Sequence, residues 1–445
     1  MSRRLAVIGG DAGGMAAATQ ARRIDPTLEI VALERGAHTS YSACGIPYVV
    51  SGLIGALDDL VVRTPQQHRD RSRIDVRTGH EVTAIDVDAR RLEVRDHAHD
   101  RTLQVPFDDL LIGTGATPIR PDLPGIDLPF VRGVQTLADA AALLQHATAT
   151  GCKHVVVVGG GYIGLEMAEA FVERGMRVVV VEKAAHVMAT LDADMAAPIE
   201  AAMRGLGIDV QAGNGVAGFA DKVVETDHGP VPADLVVLGL GVAPLSDLAR
   251  DAGVALGVKG AIRVDRRQRT SIDGVWAAGD CCESTHLVSG RPVHVALGTV
   301  ANKQAQVAGT NIGGGYATFA GVLGTAITRI CETEVARTGL SEREAADAGF
   351  GSVAATIEST TVAGYLPDAP PIMVKLVAEK VTGRVLGAQI VGGRGAAKRI
   401  DVLVAAITAR FDVSQVAELD LAYAPPFGPL RDPVAVAAKA AARLL

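Results

Sequence analysis

The residues best suited to chemistry fall in three short runs. Ser40-Tyr41-Ser42-Ala43-Cys44-Gly45-Ile46-Pro47-Tyr48 sets one cysteine among small neighbours. A thiolate at Cys44 would be a nucleophile and a redox group, whereas a cysteine picked at random is more often a small buried hydrophobe. Gly9-Gly10-Asp11-Ala12-Gly13-Gly14 and Gly159-Gly160-Gly161-Tyr162-Ile163-Gly164 are glycine turns. Such a turn lets the backbone approach a pyrophosphate, which the free N–H groups and dipole of the following helix attract. The second run matches G-x-G-x-x-G in full; in the first, Asp11 stands where the middle glycine is usual.

The elements that must position these runs read as two strand-helix-strand units. In the first, a strand over 5–8 leads into the turn, an alanine-rich helix covers 15–24, and a strand over 30–33 ends on Glu34. In the second, a strand over 154–158, a helix over 165–173 and a strand over 178–181 end on Glu182. An acid at that place accepts from a ribose hydroxyl, so two such units predict two bound dinucleotides. Glu182 favours the free ribose of NADH over a phosphorylated one, a preference that Lys183 softens. The strand over 110–112 runs into the proline-rich stretch 118–129, and the strand over 235–238 is followed by Gly239-Leu240-Gly241-Val242-Ala243-Pro244. These look like an outward and a return crossing, which makes the second unit an insertion into the first. Residues 275–280 give another buried strand with an acid, Asp280, that could cap a following helix. Around Cys44, a helix over 45–50 with Pro47 in its first turn would lower the thiol pKa through its N-terminus. Towards the C-terminus, strands over 332–338, 351–361, 372–379 and 385–391 with helices over 396–410 and 413–419 suggest an antiparallel sheet carrying helices.

A chain of 445 residues calls for two or three domains. Its formal net charge of -7 gives no basic excess to release counterions, so neither nucleic acid nor an anionic membrane surface is expected as a partner. Five scattered cysteines fit a reducing compartment, and the cytoplasm is the expected place. The N-terminus enters a strand at once without a signal-like apolar run, and runs such as 155–158 are far short of a membrane span. No cluster with metal spacing is evident.

The paired glycine turns, Thr114-Gly115-Ala116, Gly241-Val242-Ala243-Pro244 and the run 275–280 resemble the FAD-dependent pyridine nucleotide-disulfide oxidoreductases over nearly the whole chain. The resemblance implies an α/β fold with two Rossmann-like domains, one inserted in the other, and a C-terminal α+β dimerisation domain. It divides the chain into an FAD-binding part, 1–117 with 246–317, an NAD(P)H-binding part, 118–245, and an interface part, 318–445. Carried over position by position, it implies flavin contacts at Gly9, Asp11, Ala12, Gly13, Gly14, Glu34, Arg35, Ser42, Val82, Thr114, Gly115, Arg132, Asp280 and Ala296. It implies NAD(P)H contacts at Gly161, Tyr162, Ile163, Gly164, Glu166, Glu182, Lys183 and Gly241.

Departures from the family pattern narrow the chemistry. Glutathione-reductase-like members carry a second cysteine five residues after the first, where this chain has Val49, and a histidine near the C-terminus, whereas the last histidine here is His294. NADH peroxidases and water-forming NADH oxidases place a histidine where this chain has Ala12. Residues 40–48 and the ending 423–433 are most similar to the coenzyme A-disulfide reductases. Those imply that Tyr365 and Tyr423 act near the reacting sulfur, Tyr423 from the partner subunit of a homodimer. They also imply coenzyme A contacts at Gln20, Arg23, Ser40 and Asn302, to which Arg71 and Arg73 add positive charge. The expected reaction passes hydride from NADH or NADPH through FAD to Cys44, which reduces coenzyme A disulfide or persulfide by thiol exchange. No fused rhodanese domain is expected after residue 445. Two other readings stay open: an NADH oxidase in which Cys44 cycles through sulfenic acid, and a flavoprotein whose redox state governs partner binding.

Overall fold

The computed structural model describes residues 2–149 and 151–445. Two five-stranded parallel sheets share one plan. The first runs Val275–Ala277, Asp109–Ile112, Arg4–Ile8, Glu29–Glu34, Asp75–Thr78. The second, from the matching edge, runs Val131–Gly133, Leu235–Leu238, His154–Val158, Arg177–Glu182, Asp209–Ala212. The central strands are buried on both faces, which explains why they read as unbroken aliphatic runs rather than alternating ones. Each fully buried valine or leucine there contributes about 1.5–3 kcal/mol.

The glycines close each unit identically. Gly9 and Gly159 have φ of 103° and 104°. A Cβ on Gly14 would stand 1.9 Å from the Gly9 carbonyl oxygen, and one on Gly164 would stand 2.0 Å from that of Gly159. The third glycine of each fingerprint therefore exists to let the helix start lie on the strand end.

The helix Ala12–Ile24 packs against a long later helix, Gly298–Ile312, through Gly309. Between the parallel sheets run the antiparallel strands Ala116–Pro118 and Val242–Pro244, the two crossings expected from their prolines and glycines. A third sheet, antiparallel, is ordered Ala326–Ile330, Thr333–Gly339, Val385–Gly392, Pro371–Glu379, Ser352–Thr360. It carries the helices Ile400–Thr408, Val413–Ala417 and Pro433–Ala442 on a shared core. The α/β class with an antiparallel C-terminal unit is thus as expected.

Several elements differ from the sequence reading. No helix follows Asp280; strand Ser284–Thr285 comes next and the nearest helix begins at Gly298, so Asp280 caps nothing. The helix expected over 396–410 is a 3-10 turn, Ala397–Arg399, followed by Ile400–Thr408. Two three-stranded antiparallel sheets, within 80–106 and 216–232, and the last helix were not foreseen. Their strands are half-exposed and short, so they lack the long apolar runs that betray a parallel strand.

Candidate active site

Both strand-end acids bind their own turns. Glu34 accepts from the Gly10 and Gly36 N–H groups, each at 2.7 Å; Glu182 accepts from those of Gly160 and Ala184, each at 2.6 Å. Each carboxylate is thereby fixed at the edge of its glycine turn, with lone pairs left for a ribose hydroxyl. Arg35 and Lys183, beside them, are exposed.

Asp11 is the N-cap of Ala12–Ile24 but its side chain makes no capping bond deeper into the helix. Instead its Oδ1 accepts from the Tyr41 N–H at 3.1 Å, tying the flavin-type turn to the cysteine run. Burial, followed by the Glu34 and Asp280 charges, raises its pKa to about 6 against the N–H bonds of Tyr41 and Ala12. Asp280 Oδ1 is buried without a hydrogen-bond partner, and burial raises that carboxyl too, opposed by His294. A Cβ on Gly13 would come within 2.8 Å of the Ala278 carbonyl oxygen, so the groove between this turn and Asp280 has no room for side chains. An orphaned buried oxygen beside a helix start that presents bare backbone fits the ribityl chain and pyrophosphate of FAD.

Cys44 sits in a 3-10 turn, Ala43–Gly45, that passes directly into the helix Ile46–Ser51 with Pro47 in its first turn. A Cβ on Gly45 would meet Leu60 Cδ2 at 2.3 Å, so any larger residue there would have to displace that side chain. The helix buries Ile46, Val49 and Val50 in the core of the second parallel unit, against Leu165 and Phe171 of Tyr162–Glu173. Arg174, at the end of that helix, donates to the carbonyl oxygens of Val49 and Val50. Cys44 reaches solvent yet is crowded by protein. That desolvation raises its thiol pKa, and the carboxylates of Glu166, Asp280 and Asp11 push it further. Within this chain burial and three acids thus act against the lowering that the short helix's N-terminus could supply.

Glu166 lies in a cleft with Pro47, Tyr48, Glu169, Glu173 and Arg329, and accepts from Thr328 Oγ1 at 2.5 Å. Burial raises its pKa as well. Among the other expected contacts, Ala12 and Gly14 lie in the first helical turn and Gly161 caps its counterpart, followed by Tyr162 and Ile163. Thr114 Oγ1 donates to the Leu245 carbonyl at 2.5 Å and Gly115 accepts from the Leu245 N–H, so both brace the crossing. Gly241 accepts from Ile119 in the same place. Ser42 N-caps the cysteine turn, and Ala296 is half-buried ahead of Gly298–Ile312. Val82 packs in the core of the first unit. Arg132 lies on the edge strand of the second sheet, in a cleft with Gln145 and His146 of the helix Leu137–Ala149, and its Nε is buried without a partner.

Of the expected substrate contacts, Gln20 donates to Thr310 Oγ1 at 3.0 Å, and Ser40 pairs with His68. Arg23, Arg71, Arg73 and Asn302 are exposed. Tyr365 and Tyr423 lie together on the C-terminal unit; partial desolvation and then the Tyr423 phenol raise the Tyr365 pKa. Sequence reasoning missed Arg174 and His68: a helix-terminal arginine and a histidine in a polar helix carry no local signal.

The chain matches pyridine nucleotide-disulphide oxidoreductase over residues 3–308 and the dimerisation domain of that family over residues 325–432. It is 36% identical to an NAD(P)H sulfur oxidoreductase (CoA-dependent) of Pyrococcus abyssi, covering 99% of this chain and 98% of that one. It is 35% identical to an NADH oxidase of Methanocaldococcus jannaschii over 99% of each chain. A coenzyme A disulfide reductase of Staphylococcus epidermidis is 29% identical over 96% of this chain and 97% of its own. The solved structure of an NAD-dependent persulfide reductase from A. fulgidus superposes with a TM-score of 0.96 at 38% identity, covering 99% of this chain and 83% of that one.

Proposed function

Because the chain belongs to the pyridine nucleotide-disulphide oxidoreductases and is an NAD(P)H-dependent FAD enzyme, we propose that it reduces coenzyme A disulfide, or a coenzyme A persulfide, at Cys44. The observation that carries this reading is the solitude of that sulfur. Val49 occupies the place of a partner cysteine and is buried in the core. Cys152, Cys281 and Cys282 are buried, and Cys331 is packed near the Ala202 carbonyl. The second sulfur must then come from the substrate.

The flavin, held by the first glycine turn, Glu34 and Asp280, would supply two-electron transfer from NAD(P)H to sulfur. Cys44 thiolate attacks one sulfur of the disulfide, forms a Cys44–coenzyme A mixed disulfide and releases one thiolate. Two electrons and a proton then return Cys44 to thiolate and release the second thiol. Since protein crowding and carboxylates disfavour the thiolate of the isolated chain, hydrogen bonds at the site must stabilise it. A phenol serves that purpose. Tyr365 stands beside Tyr423 in one chain, which favours both reaching Cys44 from the same subunit of a homodimer, the partner. Ser40, Gln20 and Arg23 are assigned to coenzyme A. The fixed Glu182 carboxylate favours NADH over NADPH, so kcat/KM is expected to be higher with NADH.

The test is anaerobic consumption of NADH by the FAD-loaded enzyme with coenzyme A disulfide, counting thiols released. About two thiols per NADH, with none from Cys44→Ser, is the expected result for a two-electron exchange. The identity to the M. jannaschii protein gives weight to one other reading, oxygen reduction with Cys44 cycling through sulfenic acid. NADH loss only in the presence of oxygen would establish it and dismiss disulfide as the acceptor.

A further inference from the structure

The turn that carries Cys44 is launched from a strained residue. Ser40 has φ of 50°, in the left-handed region that a non-glycine residue occupies only under strain. Its backbone is held on both sides. The Ser40 N–H donates to the Gly10 carbonyl at 3.0 Å, and its own carbonyl accepts from Val62 at 2.8 Å and Arg63 at 3.3 Å. From that residue the chain runs to Cys44 through the Tyr41–Asp11 bond and a Ser42 N–H that donates to the Leu60 carbonyl at 2.9 Å.

Among the described residues the Ser40 side chain has one partner, the Nε2 of His68 at 2.9 Å. His68 lies on Pro65–Ser72, a helix locked at its start by a capping box of Thr64 and Gln67. It is the one buried residue of that helix, at 2% exposure, amid exposed glutamines and arginines. Its Nδ1 is buried without a partner. Burial and the Arg63 charge push its pKa to about 4, so the ring is neutral at physiological pH. An apolar side chain would fill this space without leaving a buried nitrogen orphaned, which is unfavourable. The bond to Ser40 is what the imidazole offers in exchange. Buried orphan donors are rarer than orphan acceptors, which favours the tautomer with the proton on Nε2. In that tautomer His68 donates to Ser40 Oγ and leaves the hydroxyl proton free to donate to another acceptor.

We propose that His68 is the positioning residue of the cysteine turn: through Ser40 it fixes the left-handed launch of residues 40–44 and sets the Ser40 hydroxyl as a donor towards the anionic substrate. The first half concerns the geometry of Cys44 alone; the second rests on the coenzyme A reading above.

The test is a double-mutant cycle on the FAD-loaded enzyme with His68→Phe, Ser40→Ala and both together, and His68→Gln as the conservative variant. One readout needs no natural substrate: the rate at which Cys44 reacts with 4,4′-dithiodipyridine, taken as the phase lost in Cys44→Ser. His68→Phe is expected to slow it roughly 10-fold, as a displaced nucleophile would be slowed. Ser40→Ala should do the same, the pair should be no slower than either, and His68→Gln, which keeps an N–H donor, should recover most of the rate. The second readout is KM for coenzyme A disulfide, expected to rise about 5-fold in His68→Phe, the loss of one hydrogen bond, while flavin reduction by NADH is unchanged. Wild-type reactivity in folded His68→Phe, or additive penalties in the pair, would overturn the proposal. If His68→Phe does not fold, Ser40→Ala against His68→Gln decides: unaltered Cys44 reactivity in Ser40→Ala refutes it, and slowing in Ser40→Ala alone supports it. Should coenzyme A disulfide prove not to be a substrate, the dithiodipyridine rates still give the answer for His68.

Discussion

At the scale of single residues, the first glycine turn places an acid where a phosphate-binding helix begins. Asp11 holds the Tyr41 N–H, which suits the cysteine run, but its charge opposes the pyrophosphate that the helix start attracts. With its pKa raised to about 6 by burial and then by Glu34 and Asp280, Asp11 is largely neutral below that pH and charged above it. The sign follows directly: an anionic ligand binds better to the protonated form, so FAD affinity is expected to fall as pH rises from 5 to 8. Asp11→Asn keeps an oxygen for Tyr41 and removes the charge, and should flatten that dependence. Fluorescence titration of the apoprotein with FAD at several pH values checks this; equal slopes for both proteins would clear Asp11 of the effect.

At the scale of elements, the helix Ile46–Ser51 is too short to stand alone and is stable only as part of the second unit's core. Arg174 ties its last carbonyls to the end of Tyr162–Glu173, so the helix that follows the Cys44 turn is fixed to the one expected to carry the nicotinamide nucleotide. A hydrogen bond from a charged donor is worth about 1.5–3 kcal/mol, and Arg174→Ala should lower stability by about 2 kcal/mol. It should also lower kcat for disulfide more than the rate of flavin reduction by NADH, because only the former uses Cys44. Urea unfolding and stopped-flow reduction would measure the two effects. Equal losses in both rates would mean that Arg174 supports the whole unit and not this helix.

At the scale of the whole molecule, the second unit is clamped to the C-terminal sheet by a charge cluster. Lys375, 4% exposed, lies 2.8 Å from Asp194, 3.3 Å from Asp192 and 2.5 Å from Glu342, and Gln389 donates to Asp192 at 2.6 Å. Arg337 adds a bond to the Thr190 carbonyl at 2.6 Å and another to Glu344. Asp192 and Asp194 begin the helix Ala193–Gly205, while Lys375 and Gln389 are on neighbouring sheet strands. Removing the cation leaves the largely covered Asp192 with only neutral donors such as Gln389, beside two half-exposed acids that water can rescue. Lys375→Met is therefore expected to cost about 3 kcal/mol. The loss should be smaller in Lys375→Met combined with Asp192→Asn; a double variant as unstable as the sum of both would show that the cluster is not a unit.

The parallel units, their glycine turns, the strand-end acids and the run around Cys44 were legible in the chain's residue order. Each of these is a local constraint: a positive φ, a close backbone approach, an aliphatic run buried on both faces. The small antiparallel sheets escaped because their signal is a short apolar–polar alternation, as in Arg91–Asp96, which is weaker than an unbroken aliphatic run. Which charges surround the sulfur follows from the packing of distant elements. Read locally, the helix after Cys44 argues for a lowered thiol pKa; the fold brings Glu166 from another unit, and Asp11 and Asp280 from distant turns, and the balance reverses. His68 and Ser40, and Arg174 and Val49, likewise meet only when separate elements pack. Electrostatic fields and side-chain hydrogen bonds act across space, and spacing along the chain does not encode which charges will share a cleft.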